Sequence, residues 1–160
     1  MHIRPATVAD IAFLMSLERQ SATAGHWSEQ QYREAFRTEG VGRLVLVADD
    51  SPAMASESSP RTSAHILGFL VAHHLAPEWE LENIVVTSAA RRKGLGQRLL
   101  DALLTAARET HSSAVFLEVR ESNAPARTLY EKGGFAQSGR RKSYYTDPQE
   151  DAVLYRRILP

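Results

Sequence analysis

Between Leu81 and Leu100 the chain reads Leu-Glu-Asn-Ile-Val-Val-Thr-Ser-Ala-Ala-Arg-Arg-Lys-Gly-Leu-Gly-Gln-Arg-Leu-Leu, and the residues best placed for chemistry cluster here. Ile84, Val85 and Val86 are a β-branched run that reads as a buried strand, and Leu95, Leu99, Leu103 and Ala106 then recur at helical spacing. Gly94 and Gly96 remove two Cβ atoms where the intervening turn becomes a helix, so an anion can approach the first free N–H groups of that helix. A pyrophosphate is such an anion. Arg91, Arg92 and Lys93 add cations beside those N–H groups, although a basic helix entry is also what an ordinary solvated surface presents. Neither the Gly-Lys-Ser/Thr of a P-loop nor a Gly-x-Gly-x-x-Gly dinucleotide loop is present.

Two further residues have types suited to proton transfer. Ala114 to Arg120 (Ala-Val-Phe-Leu-Glu-Val-Arg) reads as a strand whose apolar pattern breaks at Glu118, putting Phe116, Glu118 and Arg120 on one face. On pattern alone Glu118 is a solvent-side carboxylate. Tyr130 sits late on a helix that Asn123 caps, with Pro125 in the first turn and Gly133-Gly134 as the stop, and on pattern alone it is a core aromatic. His26-Trp27 reads either as an edge for peptide contact or as a staple that buries Trp27. His73 and His74 are adjacent on a strand and cannot both face one metal, and no metal is expected.

The elements that must position these residues follow from periodicity. His2 to Arg4 reads as a short strand. Thr7-Val8-Ala9-Asp10 and Ser28-Glu29-Gln30-Gln31 are capping boxes for two helices, the first with Ile11, Leu14, Met15 and Leu17 inward. Arg43–Ala48 and Ile66–Ala72 read as antiparallel strands joined by a Ser-, Pro- and Ala-rich stretch, 49–64, expected to be a mobile hairpin loop. The order β-α-α-β-β-β-α-β-α-β-β predicts an α/β fold with one mixed central sheet and helices on both faces. At 160 residues with 43% hydrophobic and 24% charged residues, the chain is expected to be a single domain spanning 1–160. Lys plus Arg and Asp plus Glu are 19 each, so no global field draws it to nucleic acid or membrane. It has no cysteine, which excludes disulfides, thiolate metal sites and any covalent cysteine intermediate. No stretch approaches the ~20 apolar residues of a membrane span, and a cytoplasmic location is expected.

Arg91-x-x-Gly94-x-Gly96 resembles the acetyl-CoA pyrophosphate loop of the GNAT superfamily of N-acetyltransferases. Leu117 to Asn123 (Leu-Glu-Val-Arg-Glu-Ser-Asn), Ala126 to Phe135 (Ala-Arg-Thr-Leu-Tyr-Glu-Lys-Gly-Gly-Phe) and Arg140 to Tyr145 (Arg-Arg-Lys-Ser-Tyr-Tyr) resemble the ribosomal-protein-alanine N-acetyltransferases (RimI type). His26-Trp27-Ser28 is similar to that group's Pro-Trp-Ser, with His26 in place of the proline.

The resemblance implies that acetyl-CoA is the co-substrate. The backbone of Ile84, Val85 and Val86 would meet the pantetheine amides, Arg91, Arg92, Lys93, Gly94, Leu95, Gly96 and Gln97 would surround the pyrophosphate, and Asn123 would touch the coenzyme. Glu118 would be the general base, with Glu82 as its rival, and Tyr130 the general acid. Trp27, Glu82, Tyr144 and Tyr145 would border the acceptor. It implies as partner a protein or peptide N-terminus, the N-terminal alanine of a small-subunit ribosomal protein being the first candidate. Other GNAT proteins acetylate small amines or lysine side chains, and a non-catalytic acetyl-CoA-binding module is the remaining alternative.

Overall fold

The computed structural model describes residues 1–21, 25–37, 42–51 and 65–160. The alternating apolar segments become strands β1 (His2–Pro5), β2 (Arg43–Asp49), β3 (Ile66–Leu75), β4 (Glu78–Val86), β5 (Ala114–Arg120), β6 (Ala136–Thr146) and β7 (Gln149–Ile158). They form one mixed sheet in the order β1-β2-β3-β4-β5-β7-β6. Helices α1 (Ile11–Arg19) and α2 (Glu29–Arg37) cover one face, and α3 (Leu95–Glu109) and α4 (Ala124–Lys132) pack on the other. Element order and the placing of helices on both faces agree with the sequence expectation. Residues 52–64, most of the stretch expected to be a mobile loop, lie outside the described residues.

Each face has its own core. On one, the α3 stripe Leu95, Leu99, Leu103 and Ala107 buries against Leu70, Leu117 and Val153. On the other, Leu14, Leu17 and Tyr32 bury against Val47, Phe69 and Val71. Each fully buried Leu or Val is worth about 1.5–3 kcal/mol over an exposed one, which makes these stripes the main fixings of the helices. The α2 cap is a reciprocal box: Ser28 N donates to Gln31 Oε1 at 2.8 Å and Gln31 N to Ser28 Oγ at 3.2 Å. Trp27 staples onto Tyr32 with ring centroids 5.3 Å apart. At the first helix the expectation is corrected by one turn. Asp10 receives Thr7 N at 2.8 Å, but Val8–Asp10 is a 3-10 turn, and α1 starts at Ile11.

Three irregularities of the sheet position the site. The parallel strands β4 and β5 pair only over Glu78–Glu80 against Ala114–Phe116, so beyond Glu80 and Phe116 they part. On β4, Ala72 faces Leu81 but Val71 faces Asn83, so Glu82 is an extra residue and the strand bulges there. The bulge switches faces: Trp79 and Leu81 pack on the α3 side, whereas Val85 packs on the α1/α2 side. On β6, Arg141 faces Ala152 and Tyr145 faces Glu150, so residues 142–144 loop out, with Ser143 at φ 51° and its N–H donating to Asp151 Oδ1 at 2.9 Å.

Candidate active site

The gap between β4 and β5 leaves facing backbone N–H and C=O groups without a strand partner from Leu81 and Leu117 onward. Such groups need hydrogen bonds, and an extended ligand with amides of its own can supply them. At the end of β4, the Thr87 hydroxyl oxygen is buried with no hydrogen-bond partner among the described residues, beside a cavity of about 50 Å³ lined by Leu17, Val85, Val86 and Arg91 among others. Nothing in the apolar pattern pointed to Thr87.

Next comes the glycine loop. Arg92 has φ 61° and Gly94 φ 77°, and left-handed residues at the start of a helix can turn successive amides into a concave anion nest. A Cβ placed at Gly94 would meet nothing within 4 Å, so glycine serves the left-handed backbone and leaves the approach open. Gly96 has a different duty: its Cβ would stand 3.1 Å from Leu129 Cδ2, so glycine lets α3 pack against α4. The Leu95 side chain is buried in the core, which leaves only its backbone for a ligand. Arg91 folds back, donating to Val86 O at 3.3 Å, and Gln97 donates to Asp101 at 2.9 Å. Arg92 and Lys93 are exposed. Asn123 caps α4 by accepting from Ala126 N at 3.3 Å, and its amide N–H₂ has no partner among the described residues.

On the α1/α2 side of the gap the face is acidic. Phe116, Glu118 and Arg120 share it, as the alternation required, since Val115, Leu117 and Val119 pack on the α3 side. Glu118 pairs with Arg141 Nε at 2.9 Å, and hydrogen bonding to Glu118 raises the Tyr144 phenol above its usual pKa. The β6 bulge brings these partners in: Tyr144 and Tyr145 meet edge to face at 5.1 Å, and the Arg120 guanidinium lies 4.2 Å from the Tyr145 ring centroid. Glu82 is gripped by Arg43, whose Nε donates to Oε2 at 3.1 Å and Nη2 to Oε1 at 3.0 Å. Arg43 in turn lies 5.2 Å from the Trp27 ring centroid.

Glu80 lies between these pairs, and burial followed by the charges of Glu82 and Glu118 raises its pKa above the usual carboxylate range. His73, Glu80 and Glu82 present ligand atoms within 4.8 Å of one another, but Arg43 already engages both oxygens of Glu82 and competes with any cation there. His74 is turned away and stacks on Trp79 at 4.8 Å.

Tyr130 lies on the opposite side of the sheet, 5% exposed, among Leu81, Val119, Phe135 and Tyr155. Its hydroxyl has no hydrogen bond among the described residues. Burial, and next the charge of Tyr145, hold its phenol above the usual range, so it is a neutral donor at neutral pH.

Sequence reasoning missed Arg43, Arg141, Glu80 and Glu18. The first two act through partners 39 and 23 residues away, beyond any local pattern. Glu18 had a signal: it falls seven residues after Ile11, on the inward stripe of α1.

A mixed sheet thus parts between two parallel strands, with a left-handed glycine at the start of α3 and Glu118 on the α1/α2 face of β5. The chain belongs to the Acetyltransferase (GNAT) family, whose model it matches over residues 12–135. It is 34% identical over 139 residues to the [ribosomal protein bS18]-alanine N-acetyltransferase of Salmonella typhimurium, covering 84% of this chain and 82% of that one. It is 31% identical over 134 residues to the enzyme of the same name from Haemophilus ducreyi, covering 79% and 92%. The crystal structure of the ribosomal-protein-S18-alanine N-acetyltransferase from Escherichia coli superposes with a TM-score of 0.76 at 27% identity, covering 98% of this chain and 92% of that one. The protein is thus an N-acetyltransferase dependent on acetyl-CoA, and the family resemblance read from the sequence holds.

Gly94→Asp should weaken acetyl-CoA binding by roughly 10²-fold or more, since it adds a negative charge at the nest and strains a left-handed backbone. Calorimetric titration of the folded variant is the check, and unchanged affinity would remove the loop from the binding site.

Proposed function

We propose that the protein transfers the acetyl group of acetyl-CoA to the N-terminal α-amine of a protein, by direct attack within a ternary complex. The first candidate acceptor is the N-terminal alanine of a small-subunit ribosomal protein, the substrate that the names of the Salmonella and Haemophilus relatives give for those enzymes. One observation supports the reading: Glu118 lies on the α1/α2 face of β5 where that strand has parted from β4, and Tyr130 lies in the core on the other face of the sheet. The nitrogen lone pair forms the new N–C bond as the C–S bond breaks, one amine proton leaves toward Glu118, and the departing sulfur accepts a hydrogen bond from Tyr130. The absence of cysteine agrees with transfer in a single step.

Magnitudes favour a chain end over a lysine. An α-ammonium with pKa about 8 is roughly one-tenth neutral at pH 7, whereas a lysine with pKa about 10.4 is neutral in roughly one molecule in two thousand. Glu118 then needs only to take the proton lost during attack. Trp27 and the Tyr144–Tyr145 pair stand on either side of the acidic floor and would wall a slot for an extended chain.

The expected result is faster acetylation of a free Ala- or Ser-initiated peptide than of an N-terminally blocked peptide with an internal lysine, or of a small polyamine, at one pH. The opposite ranking would overturn the α-amine assignment. Tyr144→Ala should raise the peptide KM roughly tenfold and leave the acetyl-CoA Kd within about twofold, because an exposed aromatic wall is lost while the nest is untouched. Equal losses for both substrates would remove Tyr144 from the acceptor slot.

A further inference from the structure

The segment Gly25–Ser28 ahead of α2 is tied down by a buried carboxylate that the transfer reaction does not use. Glu18 is 1% exposed. Its Oε2 accepts from Trp27 N at 3.0 Å, and its Oε1 accepts from the Tyr32 hydroxyl at 2.6 Å and from Asn83 Nδ2 at 2.8 Å. The Asn83 amide also donates to Gly25 O at 3.3 Å. A buried carboxylate is tolerated only when its lone pairs are filled, and here the loop, α2 and β4 each supply a donor. The Asn83 donor reaches Glu18 because of the bulge at Glu82, which turns Asn83 to the α1/α2 side of β4.

The same bulge presents Glu82 to Arg43, and Arg43 lies over the Trp27 ring. Trp27 is therefore held at both ends: its backbone by Glu18, and its ring by Tyr32 and by a guanidinium anchored on Glu82. Among the described residues, the groups that hydrogen-bond to Glu18 are three donors, a set that a carboxylate matches on both oxygens. Glutamine has the same size but must turn its N–H₂ either toward the Trp27 N–H or toward the Tyr32 and Asn83 donors.

We infer that Glu18 is a positioning residue for acceptor binding: with Asn83 it registers the Gly25–Ser28 loop on the β4 bulge and thereby sets the place of Trp27 at the edge of the acceptor slot. This rests on the reading of that face as the acceptor side. Because Glu18 touches neither the nest nor the gap, it governs acceptor KM and not acetyl-CoA affinity.

The test is Glu18→Gln, with Asn83→Ala as the second variant should the first not fold. The Trp27 amide should exchange with solvent roughly tenfold faster, with the Trp79 amide on β4 as an unmoved reference. The peptide KM should rise roughly tenfold, with kcat and the acetyl-CoA Kd within about twofold. In a Trp27→Ala background the same change should add little to KM, since the two act as one unit. Unchanged Trp27 exchange or unchanged peptide KM would overturn the inference, as would full additivity with Trp27→Ala. Failure of the wild-type protein to acetylate any peptide N-terminus would instead contradict the proposed function, and the amide exchange would still decide whether the clamp exists.

Discussion

Glu118→Gln should lower kcat by roughly 10²–10⁴-fold, the usual scale for losing positioned proton transfer, with acetyl-CoA affinity within about twofold. The substitution keeps size and removes the negative charge, and with it both the basicity and the ion pair to Arg141. Glu118 stands on the face opposite the packed α3 side, away from the glycine loop, so the nest should not sense the change. The rival base is Glu82, and the partners of the two carboxylates separate them. Arg43, which engages both oxygens of Glu82, has a side chain only 26% exposed and is braced by Trp27. Arg141, which engages one oxygen of Glu118, is 55% exposed. An exposed partner costs little to displace when a substrate ammonium arrives, whereas a braced two-point contact must be broken to free a lone pair. Glu82→Gln should therefore act mainly on the Trp27–Arg43 edge and the acceptor KM. A larger loss of kcat from Glu82→Gln than from Glu118→Gln would reverse the assignment.

Tyr130→Phe should lower kcat roughly 10²-fold without lowering stability. The two outcomes together are informative. A buried hydroxyl that anchors structure destabilises the protein when removed, but the Tyr130 hydroxyl has no hydrogen bond among the described residues, so its loss leaves no partner unsatisfied. The Tm of the variant is expected within about 2 °C of the parent. A phenol held above its ordinary range is also a poor outright acid toward a thiolate of pKa about 8.5, so its work is to donate a hydrogen bond while charge builds on sulfur. A variant with parental kcat would reduce Tyr130 to the core aromatic that its helical pattern suggests.

Much of the scaffold could be read from periodicity. The β-branched run at Ile84–Val86 and the stripe Leu95, Leu99, Leu103 announced a strand, a loop and a helix, and Gly94 takes the left-handed conformation that its residue type permits. Glu118 interrupted an apolar alternation, and the break gave its face correctly. What stayed hidden was irregularity. Along β4 the buried positions Trp79, Leu81, Asn83 and Val85 alternate without interruption, so the sequence shows no sign that the bulge at Glu82 has moved the later ones to the other face. The looped-out 142–144 segment is likewise silent, since β6 is polar and mostly exposed throughout. Those two bulges bring Arg43 to Glu82 and Arg141 with Tyr144 to Glu118, and no spacing rule reaches pairs so far apart in sequence.

The most direct measurement uses one peptide that carries both amines: a free N-terminal alanine and an internal lysine. It is incubated with acetyl-CoA and the protein at neutral pH, and tandem mass spectrometry then locates the acetyl group. The account predicts acetylation at the N-terminal nitrogen, sharply reduced by Gly94→Asp at sub-saturating acetyl-CoA and strongly slowed by Glu118→Gln. Acetylation of the lysine with the N-terminus left free would contradict it.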